Sequence, residues 1–259
     1  MKLEGFSNRA AFVTGAAGGI GLALVAALHA AGARVFATDI PEALDGLPER
    51  DSSNEAVHWH GLDVSDPLAV ADCVALAEET VGPLSLAVHA AGILSTTSVL
   101  DLTPAEWERV MSVNAGGCFN VLQALGRVML PRGKGSIVVV GSNAAGVPRQ
   151  NMAAYAASKA AIAMLTRCVG LELAGHGIRC NILAPGSTLT PMQTGMWADE
   201  SGAAKVIAGD PSSYRTGIPL GKLAAPEDIA AAAMFLLSDQ AGQITMTDLY
   251  VDGGATLRA

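Results

Sequence analysis

Ser142, Tyr155 and Lys159 are spaced so that a hydroxyl, a phenol and an ammonium can share one site. Ser142 follows the apolar β-branched run Ser136-Ile-Val-Val-Val-Gly141, which reads as a buried strand, so the hydroxyl falls at a strand's carboxyl end. Residues 152–174 are rich in Ala, Leu and Met and contain no proline, which predicts a long helix starting just before Tyr155. Tyr155 and Lys159 are then one turn apart on one face. A phenol, with an ordinary pKa of about 10, is a poor base, but an ammonium one turn away favours the phenolate. A shift of about three units requires roughly 4 kcal/mol. With Ser142 holding a substrate oxygen, the set would remove a proton from a hydroxyl. The same residues suit an ordinary helix and a loop serine, so the surrounding elements must decide.

Residues 10–14 form a short apolar strand, followed by Thr14-Gly-Ala-Ala-Gly-Gly-Ile-Gly21 and a helix of Leu, Ala and Val running to about Ala31. Gly15, Gly19 and Gly21, with Ile20 between them, allow a tight turn and close approach of a pyrophosphate to the helix N-terminus. The next strand, Arg34-Val-Phe-Ala-Thr-Asp39, ends in an acid about 20 positions on, where ribose hydroxyls should lie. Asp39 would repel a 2′-phosphate, and neither Ala16, Ala17 nor Ile40 supplies a cation to hold one. The expected cofactor is NAD, not NADP.

Strand and helix continue to alternate: a strand over 56–62, a helix over 67–81, then a strand over 84–89 leading into Ala90-Ala-Gly92. This alternation predicts an α/β fold, a doubly wound parallel sheet with helices on both faces and the ligand at the strands' carboxyl ends. Asp63, followed by Val64, falls at such an end and would suit an adenine amino group or a solvated turn equally. A helix over 104–129 is interrupted around Asn114-Ala-Gly-Gly117, where an amide can satisfy a disturbed ladder.

Composition sets outer limits. With 259 residues and no linker rich in Pro, Ser or charge, one large domain over 1–259 is expected. A hydrophobic fraction of 51% against 15% charged provides ample core. A net charge of −8 without a basic cluster argues against nucleic acid. Cys73, Cys118, Cys168 and Cys180 show no C-x-x-C spacing and read as reduced core residues of a cytoplasmic protein. His58 and His60 would share a strand face, but no third ligand is nearby, so no metal is expected. Residues 10–33 carry no charged side chain, yet their glycines fit a strand, turn and buried helix better than a membrane span.

Thr14-Gly-x-x-x-Gly-x-Gly21, Asp39, Asp63, Ala90-Ala-Gly92, Asn114, Ser142, Tyr155-x-x-x-Lys159 and Pro185-Gly186 together resemble the short-chain dehydrogenase/reductase family over nearly the whole chain. The resemblance implies a single-domain Rossmann fold of about seven strands and a catalytic set of Asn114, Ser142, Tyr155 and Lys159. It also implies a nicotinamide ribose held by Tyr155 and Lys159, a water anchored by Asn114, and cofactor contacts from Ala91, Gly92, Pro185, Gly186 and Thr188. One departure is His89, where the family usually carries an asparagine that ties strands together; local sheet bonding is therefore the point to check.

Further stretches, including Gly141-Ser-Asn-Ala-Ala-Gly-Val-Pro-Arg149 and Val251-Asp-Gly-Gly-Ala-Thr-Leu257, resemble members of the family that serve catechol siderophore synthesis. That likeness implies a cyclohexadiene substrate bearing a carboxylate and two hydroxyls. Arg149 would fork onto the carboxylate, with Arg215 as competitor. Met152, Met192, Met196 and Trp197 would offer soft apolar surface or equally fill a core, while Gln150 and Gln193 would anchor ring substituents. Residues 191–219, mixed and weakly periodic, are expected to form a mobile lid. The helix over 152–174 is apolar on more than one face, and the resemblance implies a homotetramer. Two rivals stand: a dehydrogenase of dihydro-3-hydroxyanthranilate, whose ring bears an amine at C2, and an NAD-sensing protein without turnover.

Overall fold

The computed structural model describes residues 2–47 and 56–257. In chain order the elements are β1 (Ala10–Thr14), α1 (Gly19–Ala30), β2 (Arg34–Asp39), α2 (Pro41–Asp45), β3 (Val57–Gly61), α3 (Pro67–Val81), β4 (Leu84–His89), α4 (Pro104–Met111), α5 (Gly117–Met129) and β5 (Gly135–Val140). There follow α6 (Ala153–Ala174), β6 (Ile178–Pro185), α7 (Pro191–Thr194), α8 (Gly202–Ala208), β7 (Gly209–Asp210), β8 (Arg215–Thr216), α9 (Pro226–Leu237) and β9 (Asp248–Val251).

Seven strands form one parallel sheet in the order β3-β2-β1-β4-β5-β6-β9. The strand order reverses between β1 and β4, which opens a crevice at their carboxyl ends. Successive side chains of a strand face opposite ways, so each strand feeds two cores. Phe12, Ala87, Ile137 and Val139 join Val74, Leu122, Leu125 and Ile162 on the face covered by α3, α5 and α6. Val13, Val88, Val138 and Leu183 join Leu24, Leu28, Ile229 and Leu237 on the face covered by α1 and α9. The apolar stretches 10–13 in β1, 86–88 in β4, 137–140 in β5 and 182–185 in β6 are what a sheet covered on both faces demands.

Helix starts follow local chemistry. Asp66 accepts from the N–H groups of Leu68 and Ala69 at 2.9 and 3.1 Å ahead of Pro67 at the first position of α3. Thr103 accepts from Glu106 N–H at 3.2 Å ahead of Pro104 in α4. At the far end of α9, the Arg179 guanidinium donates to the carbonyls of Leu236, Leu237 and Ser238, filling acceptors that a helix end leaves open.

One sequence expectation gains a definite geometry and two are revised. The interruption of the helix over 104–129 is a π turn, Ser112–Gly116, set between α4 and α5. Residues 191–219 contain two short helices, α7 and α8, and an antiparallel pair of two-residue strands, β7 and β8, too short to leave a periodic signal. Cys73, Cys118 and Cys180 are buried, but Cys168 is exposed on α6 and is not a core residue, because the buried stripe of that helix runs through Ile162, Ala163, Thr166 and Gly170. Among the described residues no helix is long and apolar enough to cross a membrane.

Candidate active site

A cleft of about 610 Å³ lies at the carboxyl ends of the central strands. Its walls include every residue expected to hold a dinucleotide: Gly15, Gly19, Ile20, Gly21, Asp39, Ile40, Asp63, Val64, Ala91, Gly92, Tyr155, Lys159, Pro185, Gly186 and Thr188. Of the expected substrate contacts, Ser142, Arg149, Met152, Met192 and Gln193 line it, as do Met196 and Arg215. Gln150 is exposed and does not line it. Trp197 also stays outside, packed where a Cβ added at Gly202 would come within 2.2 Å of its ring.

The glycine turn is close-packed. Gly15 has φ +65°, and a Cβ there would stand 2.5 Å from the Ala91 nitrogen. At Gly21 a Cβ would stand 2.0 Å from the Gly15 carbonyl oxygen. The first turn of α1 carries no acid and no side-chain cap, so its N–H groups face the cleft with the positive end of the helix dipole. Asp39 closes the end of β2, accepting from Ala17 N–H and Ile40 N–H at 2.9 Å each. Asp63, exposed at the cleft, accepts from Ser65 N–H at 2.8 Å and Ser65 hydroxyl at 2.7 Å through one oxygen. A helix N-terminus free of acids in its first turn, with Asp39 and Asp63 at the ends of the neighbouring strands, fits the nicotinamide cofactor of the expected family.

The residues expected to react are positioned by β5 and α6. Ser142 lies just past β5, and its hydroxyl oxygen accepts from Ala144 N–H at 3.1 Å. Lys159, buried on α6, donates from Nζ to the Val140 carbonyl at 3.0 Å and stands 5.6 Å from the centre of the Tyr155 ring. The π turn directs Asn114 inward. Its Oδ1 accepts from Ile93 N–H at 2.8 Å, and its Nδ2 donates to the Ile93 carbonyl at 3.0 Å and to Ser158 Oγ at 2.9 Å. Ser158 in turn donates to the Tyr155 carbonyl at 2.7 Å. Asn114 thus ties the wall after Gly92 to the first turn of α6.

His89 resolves the question of sheet bonding. Its Nδ1 pairs with Thr14 Oγ1 across β1 and β4, and that oxygen also accepts from Ala91 N–H at 3.4 Å. Burial, then the charge of Lys159, pushes the imidazole pKa down to about 3, so the ring is neutral.

Sequence reasoning missed Arg109, which lines the cleft from α4, and the support behind Arg149. Arg149 donates to Asn143 Oδ1 at 3.1 Å, and Asn143 Nδ2 donates to Asp252 at 3.4 Å. Burial, then the like charge of Arg215, lowers the Arg149 pKa from its ordinary value, with Asp252 and Tyr155 opposing. Asn143 stands six positions from Arg149 on the same loop, whereas Asp252, 109 positions from Asn143, is marked by no spacing rule and is brought there by the fold.

Comparison with known proteins agrees with this geometry. Residues 15–256 match the family described as enoyl-(acyl carrier protein) reductase. The chain is 50% identical over 262 residues to the 2,3-dihydro-2,3-dihydroxybenzoate dehydrogenase of Bacillus subtilis (strain 168), covering 99% of each. It is 43% identical, again over 99% of each, to the vibriobactin-specific 2,3-dihydro-2,3-dihydroxybenzoate dehydrogenase of Vibrio cholerae serotype O1. A short-chain type dehydrogenase/reductase from Mycobacterium ulcerans superposes with a TM-score of 0.88 at 30% identity, over 98% of this chain and 92% of that one. With a shared fold, a nicotinamide cleft and full-length kinship, the chain belongs to the short-chain dehydrogenase/reductase family.

Proposed function

We propose that the chain is an NAD-dependent 2,3-dihydro-2,3-dihydroxybenzoate dehydrogenase, oxidising the C3 hydroxyl to give 2,3-dihydroxybenzoate after aromatisation. The observation that carries this reading is one cleft that joins Ser142, Tyr155 and Lys159 to two arginines, Arg149 and Arg215. Among the described residues neither arginine forms an ion pair, and a carboxylate substrate supplies the missing anion. Kinship at 50% and 43% identity with enzymes of that name supports the choice of ring.

In this reading Ser142 holds the C3 oxygen and the Tyr155 phenolate takes its proton, with the Lys159 ammonium stabilising the phenolate from the same helix face. The bound nicotinamide supplies the hydride acceptor. Loss of hydride from C3 leaves a dienone that tautomerises to the catechol, and the aromatic product pulls the reaction forward. Met152, Met192 and Met196 provide an apolar wall for a flat ring, and Gln193 lies among them as a polar anchor. Asp39 supports NAD over NADP, because its carboxylate puts negative charge at the end of β2, where a 2′-phosphate would be repelled.

We further propose that residues 191–219 close over the substrate, since Met192, Gln193, Met196 and Arg215 all face the cleft from that segment. Met164 and Leu171 on α6 and Phe119 on α5 are 57%, 70% and 49% exposed, which supports burial against further subunits; the assembly we propose is a homotetramer, in the cytoplasm. Light scattering that finds a monomer at micromolar concentration removes that part of the reading.

The test of function mixes the protein with NAD and, separately, with the dihydrodiol acid or with dihydro-3-hydroxyanthranilate, following NADH absorbance and identifying the product. Preferred turnover of the dihydrodiol supports the proposal. Preference for the amine reassigns the substrate, and no turnover of either refutes the catalytic reading.

A further inference from the structure

The segment that follows β9 touches the supports of both cleft arginines. On one side, the Asp252 carboxylate accepts from Asn143 Nδ2 at 3.4 Å, which turns the Asn143 carbonyl oxygen toward Arg149 at 3.1 Å. Asn143 and Asp252 are both buried, and Thr256 Oγ1 and Gly254 N–H also bond the Asp252 carboxylate. The amide orientation follows from charge: a carboxylate behind Asn143 accepts only, so the NH₂ group must face it and the oxygen must face the guanidinium. On the other side, the Thr216 hydroxyl, next to Arg215, donates to the Ala255 carbonyl at 2.8 Å. Leu220 N–H donates to the Gly253 carbonyl at 3.1 Å, holding the chain beyond Arg215 against the same turn. Gly253 and Gly254 have φ of +63° and +86°, and a Cβ at Gly253 would meet Ile218 at 2.5 Å, so the turn is tightly seated.

We propose that residues 252–256 act as a bracket that positions Arg149, through Asn143 and Asp252, and Arg215, through Thr216 and Ala255, as a two-arginine site for the substrate carboxylate. Two like charges facing one cleft repel each other and tend to turn apart, and supports from behind resist that displacement. Asn143, Asp252 and Thr216 are positioning residues, since they act through the arginines. The inference rests on the carboxylate reading above.

Calorimetry with 2,3-dihydroxybenzoate and catechol separates the two claims, because these ligands differ only in the carboxylate. Wild-type protein loaded with NAD should bind 2,3-dihydroxybenzoate at least about tenfold tighter than catechol, a difference of about 1.4 kcal/mol. Equal binding overturns the carboxylate reading and the bracket with it. If the preference exists, Asp252→Asn and Thr216→Val should each reduce it about tenfold while NAD affinity stays within about twofold, and Thr216→Ser, which keeps the hydroxyl, should restore it. Asn143→Ala substitutes for Asp252→Asn should the latter fail to fold. Full wild-type preference in a folded variant of either arm overturns the proposal.

Discussion

His89 Nδ1 lies 2.8 Å from Thr14 Oγ1, joining the last residues of two neighbouring strands beneath the cofactor cleft. Ala91 N–H bonds the same threonine oxygen, so the glycine turn after Thr14 and the wall after His89 share one anchor. The Nε2 atom is buried with no hydrogen-bond partner among the described residues, and burial lowers the ring's pKa to about 3.

Acid stability should report on that ring. In the unfolded chain a histidine protonates below about 6.5, whereas folded His89 resists until about 3. The unfolded state therefore binds more protons in this window, and the stability present above pH 6.5 is lost as pH falls toward 3, by up to about 1.4 kcal/mol per unit. His89→Asn removes this linkage. Urea unfolding at pH 7 and pH 5 should show the wild type losing about 2 kcal/mol more than the variant; equal losses would mean that His89 is not buried neutral.

Tyr155→Phe deletes only the hydroxyl proposed as base. Turnover should fall by about 10²- to 10⁴-fold, while NAD binding by fluorescence titration changes little. Near-normal turnover would falsify the assignment of Tyr155.

Gly21→Ala places a methyl group 2.0 Å from the Gly15 carbonyl oxygen. The turn must shift, at a cost typically of about 1–3 kcal/mol, and much of that falls on the cradle. NAD affinity should drop about tenfold or more, and crystallography should show the Gly15 carbonyl displaced. Unchanged affinity would separate the turn from the cofactor.

Asp39→Asn removes the negative charge and weakens the bonds from Ala17 and Ile40. Because hydrogen bonds to an ion contribute about 1.5–3 kcal/mol, kcat/KM for NAD should fall about 10- to 100-fold, and the NADP-to-NAD ratio should rise. A constant ratio would place cofactor choice elsewhere.

How much was legible depended on whether the signal was local. The strands 10–14, 34–39 and 84–89 and the helix 67–81 were readable to the residue, because apolar runs, proline and capping acids act over a few positions. The glycine turn and the place of Asp39 at the end of β2 were equally plain, since a tight turn between strand and helix and the alternation of elements leave local marks. The π turn left only a hint in Asn114 and two glycines, because periodicity does not specify which ladder forms at a break. The Asp252 support of Arg149 spans 109 positions from Asn143 and shows in no pattern; only the sheet order brings β9 beside β6 and its end behind the loop. Cys168 was misjudged because an alanine-rich helix hides which of its faces is buried.

The bond from Lys159 to the Val140 carbonyl gives the site a common reference. Val140 ends the strand from which Ser142 departs two residues later, so an axial displacement of β5 carries the serine and the ammonium together. Their separation is buffered against breathing of the sheet, as two instruments clamped to one rail keep their spacing when the rail moves.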